Sequence, residues 1–183
     1  MYKSTKKIGP ISTNHRNWHA LYNENRDSRH CGLIHGYSRI VEFVFVGKTD
    51  ACQWVVDFGN LKDVKKWLEE RWDHKTLIAS DDPQLDKIVE MDQAGIIDLT
   101  TVDVDNGLGW GPGMEGSCKW VFDEVGKIIR EKTDGLAAIE SVQIWEHENN
   151  SAIYRGDHQD YVRLGYNEGQ IGTFFPHIPS FYA

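Results

Sequence analysis

A helical stripe set among strand-like segments most restricts what this chain can fold into. Cys118, Val121, Phe122, Val125, Ile128 and Ile129 recur at three- and four-residue spacing, which places them on one face of a helix. A few residues on, Ile139–His147 alternates with the period of a strand, with Val142, Ile144 and Glu146 on one face and Gln143, Trp145 and His147 on the other. Arg39–Val46 (RIVEFVFV) is rich in β-branched and aromatic residues and stops at Gly47, as a strand does. Trp54–Phe58 (WVVDF) follows after a short loop and is expected to pair with it as a hairpin. Leu61, Val64, Leu68 and Trp72 predict a helix over Asn60–Trp72 with Asn60 as its cap. Ser80–Ala94 offers Asp82 as cap and Pro83 at the first position of a shorter helix. Leu99–Val104 reads as strand and Asn106–Gly113 (NGLGWGPG) as loop. From Arg155 onward, scattered aromatics with Pro176 and Pro179 suggest an extended tail packed on a neighbour, or disorder. This order predicts an α+β domain with helices on one face of an antiparallel sheet. The free edges of so small a sheet favour association into a ring or barrel.

A chain of 183 residues, 40% of them hydrophobic, can bury one substantial core, so a single domain over 1–183 is expected, with its core at about 5–156 and an extension at about 157–183. No apolar run reaches the ~18–20 residues of a membrane span, and Met1–Pro10 carries lysines but no apolar signal core, so a cytoplasmic protein is expected. Three cysteines, Cys31, Cys52 and Cys118, leave at least one free thiol. The formal charge of −8, without a basic stripe, argues against a nucleic-acid partner.

Reactive side chains concentrate between His15 and Tyr37, where four of the eight histidines (His15, His19, His30, His35) accompany Cys31. Neutral imidazole is the commonest zinc ligand, and catalytic zinc sites keep three protein ligands and one open position. Surface or hydrogen-bonded histidines would give the same spacing. A thiol beside a metal or an imidazolium has a lowered pKa and can act as a base, which singles out Cys31. Asp73-His74, just past the first predicted helix, is a second acid/base candidate, because a carboxylate can orient an adjacent imidazole; capping of the helix end is the plainer role.

CGLIHGY (Cys31–Tyr37) resembles the CxxxHGH element of the 6-carboxytetrahydropterin and 6-pyruvoyltetrahydropterin synthases. ISTNHR (Ile11–Arg16) resembles their first strand, which ends in a zinc-binding histidine. In the same order, VVDFGNLK (Val55–Lys62), RWDHKTL (Arg71–Leu77), PGMEGSCKWVFDEV (Pro112–Val125) and WEHENNSAIYRG (Trp145–Gly156) resemble V-x-DF-x-x-LK, LDH-x-x-LN, PTxE with its helix, and the closing glutamate strand. The matches cover roughly residues 11–156.

This resemblance implies a tunnelling fold: a four-stranded antiparallel sheet with two helices on one face, assembled into a multimeric barrel with active sites between subunits. It implies a lyase acting on dihydroneopterin triphosphate with Zn2+ as cofactor, in the synthesis of 7-deazapurines and queuosine, with triphosphate elimination to 6-pyruvoyltetrahydropterin and a non-catalytic pterin-binding homologue as alternatives. Carried over by position, the metal falls to His15 and His35, the base to Cys31, proton relay to Asp73 and His74, and the pterin anchor to Glu146. Tyr37 stands where the motif has its third zinc-binding histidine. Phenolate ligation by Tyr37, substitution by His19 or His30, and weak or lost metal binding are the three open outcomes. Gly113 replaces the Thr of PTxE, an insertion spans about Asp81–Gly111, and Arg16, Arg39, Lys75 and Lys119 are the cations expected near a triphosphate.

Overall fold

The computed structural model describes residues 1–22, 24 and 26–177, the side chains of 26–28 excepted. Strands Tyr2–His15 (β1), His35–Gly47 (β2), Ala137–His147 (β5) and Asn150–Arg155 (β6) form an antiparallel run. Lys75–Ala79 (β3) and Leu99–Val102 (β4) extend it by parallel pairing on the far end of β1, giving the order β4-β3-β1-β2-β5-β6. The expected four antiparallel strands are therefore part of a six-stranded mixed sheet. The extra strands come from the segment after helix Lys62–Trp72 (α1): β3, helix Leu85–Gln93 (α2) and β4 make one parallel β-α-β unit.

Alternation along β2 explains how the sheet is covered. Arg39, Val41, Phe43 and Phe45 point to one face and are fully buried, whereas Glu42 on the other face meets Lys7 at 3.3 Å. Val142 and Ile144 of β5 continue the buried face, which α1 covers with Leu68 and Trp72 and helix Met114–Lys132 (α3) covers with Val121, Phe122, Val125 and Ile129. Trp67 of α1 meets Trp120 of α3 edge-on at 5.3 Å, which fixes the two helices against each other. Phe122, wholly buried between Tyr154 and Tyr161, is expected to cost about 3–5 kcal/mol when truncated to Ala, because the rings around it cannot close the cavity. A denaturant midpoint unchanged from wild type would show that this contact contributes nothing.

Three local expectations are corrected. Trp54–Phe58 is no strand: Asp50 accepts hydrogen bonds from the amides of Cys52 and Trp54, and Asp57 from that of Gly59, so the segment's backbone is committed to turns. Asp57, not Asn60, caps the 3-10 turn Phe58–Asn60 that leads into α1. Asp82 does not cap α2, which starts at Leu85; it folds a turn by accepting from the Gln84 amide and faces Arg16 at 3.2 Å.

The extension is helical rather than extended. Asp157 and Asn167 form capping boxes for His158–Arg163 (α4) and Glu168–Phe174 (α5), which lay Tyr161, Tyr166, Phe174 and Phe175 onto the core. Pro179 lies outside the described residues. No described helix is long and apolar enough to cross a membrane.

Candidate active site

The antiparallel register of β1 and β2 sets His15 directly opposite His35 and Thr13 opposite Tyr37. Two histidines twenty positions apart thereby become neighbours, with ring centroids 4.3 Å apart. Tyr37, two residues along β2 on the same face, lies 5.7 Å from His35 and 6.1 Å from His15. Gly36 between them is required by packing, since a Cβ there would stand 2.0 Å from the Asn14 side chain and 2.8 Å from the Thr13 carbonyl.

These three rings open onto a cavity of about 540 Å3 that Cys31, His30, Glu115 and Glu146 also line. Cys31 is half-buried in the turn Arg26–Gly32, where its carbonyl accepts from the Asn17 amide at 3.0 Å. Glu146 arrives from the last turn of the β5 alternation, as expected from its place at the end of an apolar row. A larger cavity, about 730 Å3, lies near Tyr2, Trp54 and Phe58 and is lined by none of the candidate residues.

The electrostatics separate the roles. Burial, then the Arg39 charge, then His35 push His15 down to about 3, so its imidazole is neutral and able to donate a lone pair. Its Nδ1 is buried without a hydrogen-bond partner among the described residues. His35 Nδ1 lies 2.7 Å from the Leu33 carbonyl; with the proton on Nδ1, its Nε2 lone pair is left free. Tyr37 is held neutral, its pKa raised by burial first and then by Glu146 and Cys31. A neutral phenol is a hydrogen-bond donor and a poor metal ligand. Of the two histidines offered as substitutes, His30 lines this cavity, while His19 stacks on Trp18 at 3.8 Å beside a separate pocket. Among the described residues, no three His, Cys, Asp or Glu side chains are grouped as a metal-binding set.

Asp73 and His74 do not line the cavity. Asp73 closes α1 as its C-cap, and His74 follows at φ 60, its amide donating to the Ser12 carbonyl and its Nδ1 3.1 Å from an Asp73 oxygen. The His74 side chain is 81% exposed, turned to solvent. Among the described residues no lysine or arginine lines the cavity either. Lys75 is paired with Asp98 and Arg16 with Asp82, Lys119 is buried between Asp123 and Asp160, and Arg39 lies wholly inside. Glu115, the glutamate of the segment that resembles PTxE but given no site role from the sequence, reaches the cavity from the first turn of α3.

The fold is that of the pterin synthases. The structure superposes on an uncharacterized protein of Wolinella succinogenes with a TM-score of 0.69 at 17% identity, covering 85% of this chain and 98% of that one. It also superposes on the 6-pyruvoyl tetrahydropterin synthase of Caenorhabditis elegans with a TM-score of 0.53 at 19% identity, covering 86% and 98%. The chain belongs to the 6-pyruvoyl tetrahydropterin synthase family, whose model matches residues 7–157. It is 33% identical over 92 residues to a 6-carboxy-5,6,7,8-tetrahydropterin synthase of Rickettsia felis, a match over 49% of this chain and 61% of that protein. The corresponding synthase of Rickettsia conorii is 32% identical over the same shares.

Proposed function

We propose that this chain is a 6-carboxy-5,6,7,8-tetrahydropterin synthase-type lyase acting on 7,8-dihydroneopterin triphosphate, in 7-deazapurine and queuosine synthesis. The observation that carries this reading is the paired His15 and His35 facing one cavity with Cys31 and Glu146. The donor set fits Zn2+ in part: His15 is neutral with an unpartnered Nδ1 and His35 keeps Nε2 free in the tautomer protonated at Nδ1, while His30 lines the same cavity without being grouped with them. When bound, the ion would polarise the hydroxyls of the substrate side chain. Cys31 removes the proton from the adjacent carbon. Glu146 accepts parallel hydrogen bonds from the amino and ring N–H edge of the pterin. Tyr37, as a neutral donor, holds a substrate oxygen.

Asp73 and His74 stand outside the cavity of their own chain, so they act in a neighbouring copy, which also supplies the cations for the triphosphate. Among the described residues the Tyr2–Ile8 half of β1 pairs only with β2, β4 only with β3 and β6 only with β5, and the first and last of these free edges support such an assembly. Head-to-tail joining of these edges closes a ring.

The test is product analysis of zinc-loaded protein. Acetaldehyde and 6-carboxytetrahydropterin are expected; 6-pyruvoyltetrahydropterin would assign triphosphate elimination instead. The position of Tyr37 favours one further reading, a pterin-binding homologue without metal. In that case elemental analysis finds no zinc, and Tyr37→His gains both metal and turnover. If zinc is already stoichiometric in the wild type, Tyr37→His is expected to leave the metal content unchanged.

A further inference from the structure

Along the buried face of β2, Arg39 is the charged exception to a row that continues as Val41, Phe43 and Phe45. It lies two residues beyond Tyr37, at the boundary between the cavity and the apolar core. Its guanidinium stacks over Trp72 with 5.3 Å between Cζ and the ring centroid. One Nη donates to the Ser117 hydroxyl and the other to the Pro112 carbonyl, both at 3.2 Å. The Ser117 hydroxyl in turn lies 3.2 Å from the Gly111 and Pro112 carbonyls. One buried side chain thus holds both the end of the glycine-rich loop and the first turn of α3.

That junction is tightly seated. A Cβ on Gly116 would come within 2.5 Å of the Gly111 amide nitrogen, so loop and helix pack backbone to backbone. Gly113, the N-cap of α3, makes no side-chain cap, and Gly113, Met114 and Glu115 between these contacts form one wall of the cavity. The helix start therefore has no side-chain cap of its own, and a planar fork reaching two acceptors can fix its register.

We propose that Arg39 is a positioning residue: it holds Pro112–Ser117 so that Met114 and Glu115 form the substrate-facing wall of the cavity. Its functional half rests on the pterin-synthase reading; its structural half does not.

Arg39→Met, Arg39→Lys and Ser117→Ala separate the possibilities. In hydrogen exchange, the amides of residues 117–120, which bond back to the carbonyls of the pinned segment as Ser117 does to Gly113, are expected to exchange about tenfold faster in Arg39→Met, while those of 125–132 keep their wild-type rates. Lysine keeps the charge and loses the fork, so Arg39→Lys should resemble Arg39→Met; Ser117→Ala, which removes one of the two contacts, should shift the same amides less. For 7,8-dihydroneopterin triphosphate, KM is expected to rise about tenfold with kcat nearly unchanged, since binding geometry and not the proton transfer is disturbed. Unchanged exchange at 117–120 in all three variants overturns the proposal, as does full rescue by lysine, which would leave charge alone as the requirement. A loss confined to kcat overturns it too. If wild-type protein does not act on the pterin, the functional reading fails, and the exchange pattern alone decides whether Arg39 holds the wall.

Discussion

Cys31→Ala is expected to lower kcat for dihydroneopterin triphosphate by about 10²–10⁴-fold while leaving KM within a small factor, the signature of a lost general base. The side chain is the only part of Cys31 at stake. Its backbone is fixed independently, through the carbonyl that accepts from Asn17 and through Gly32, where a Cβ would collide with Leu21 at 2.4 Å. Removing one sulfur from a half-buried position on a cavity wall should therefore spare the fold, and thermal unfolding is the control. His74→Ala is expected to be similarly inactive, although its ring is exposed and outside the cavity. The pair of variants tests where the site is assembled. If each cavity borrows His74 from a neighbour, refolding an equal mixture of the two inactive chains restores about a quarter of the sites, because some interfaces then join an intact Cys31 to an intact His74. A mixture that stays inactive excludes the shared site. A Cys31→Ala protein that turns over at the wild-type rate removes the thiol from the mechanism, whatever the mixture does.

Periodicity explains which parts of this molecule are legible in the sequence. β2, α3 and β5 are long, and each shows one face to a single core, so their patterns are continuous: Val41, Phe43 and Phe45 alternate, and Val121, Phe122 and Val125 recur at helical spacing. Thr76, Leu77, Ile78 and Ala79 of β3 are all buried, so no alternation marks it, and nothing local specifies that its partner is the end of β1. Trp54–Phe58 has strand composition and fails as a strand, since Asp50 accepts from the Trp54 amide and Asp57 turns the chain by accepting from that of Gly59 just beyond. In the site, the histidines are visible as a cluster, but the choice among them is tertiary. Register joins His15 to His35, and the stack on Trp18 takes His19 away. Glu115 is legible as the glutamate of the PGME segment that resembles PTxE, but its place in the site is tertiary: the start of α3, pinned by Arg39, brings it to the cavity.

The extension shows the same limit and sets up the largest expected effect on stability. DHQD and NEGQ at Asp157–Asp160 and Asn167–Gln170 hold both capping boxes, yet helices of six and seven residues are too short to show a stripe or to stand alone. Their stability is tertiary. Tyr161, Leu164, Tyr166, Ile171, Phe174 and Phe175 are all buried, and burying a large apolar side chain contributes about 1.5–3 kcal/mol. Tyr161 stacks on Phe175 at 4.1 Å and donates to the Ile139 carbonyl at 3.1 Å, and Tyr166 donates to that of Ala137 at 2.8 Å. Arg163 reaches Asp123 and Asp160 at 2.6 Å, closing the acid pair that surrounds Lys119, and Asp123 also accepts from Trp110 of the glycine-rich loop. A chain ending at Gly156 loses these groups together, against a net stability for such domains of about 5–15 kcal/mol. It also leaves Lys119 and Asp123 without Asp160 and Arg163. The expected result is a protein without a cooperative thermal transition, recovered mainly in aggregates. Tyr161→Phe, which keeps the ring and removes one hydrogen bond, is expected to lower Tm by only about 2–4 °C. A truncated chain that melts cooperatively at the full-length temperature would show that α4 and α5 cover the core without supporting it.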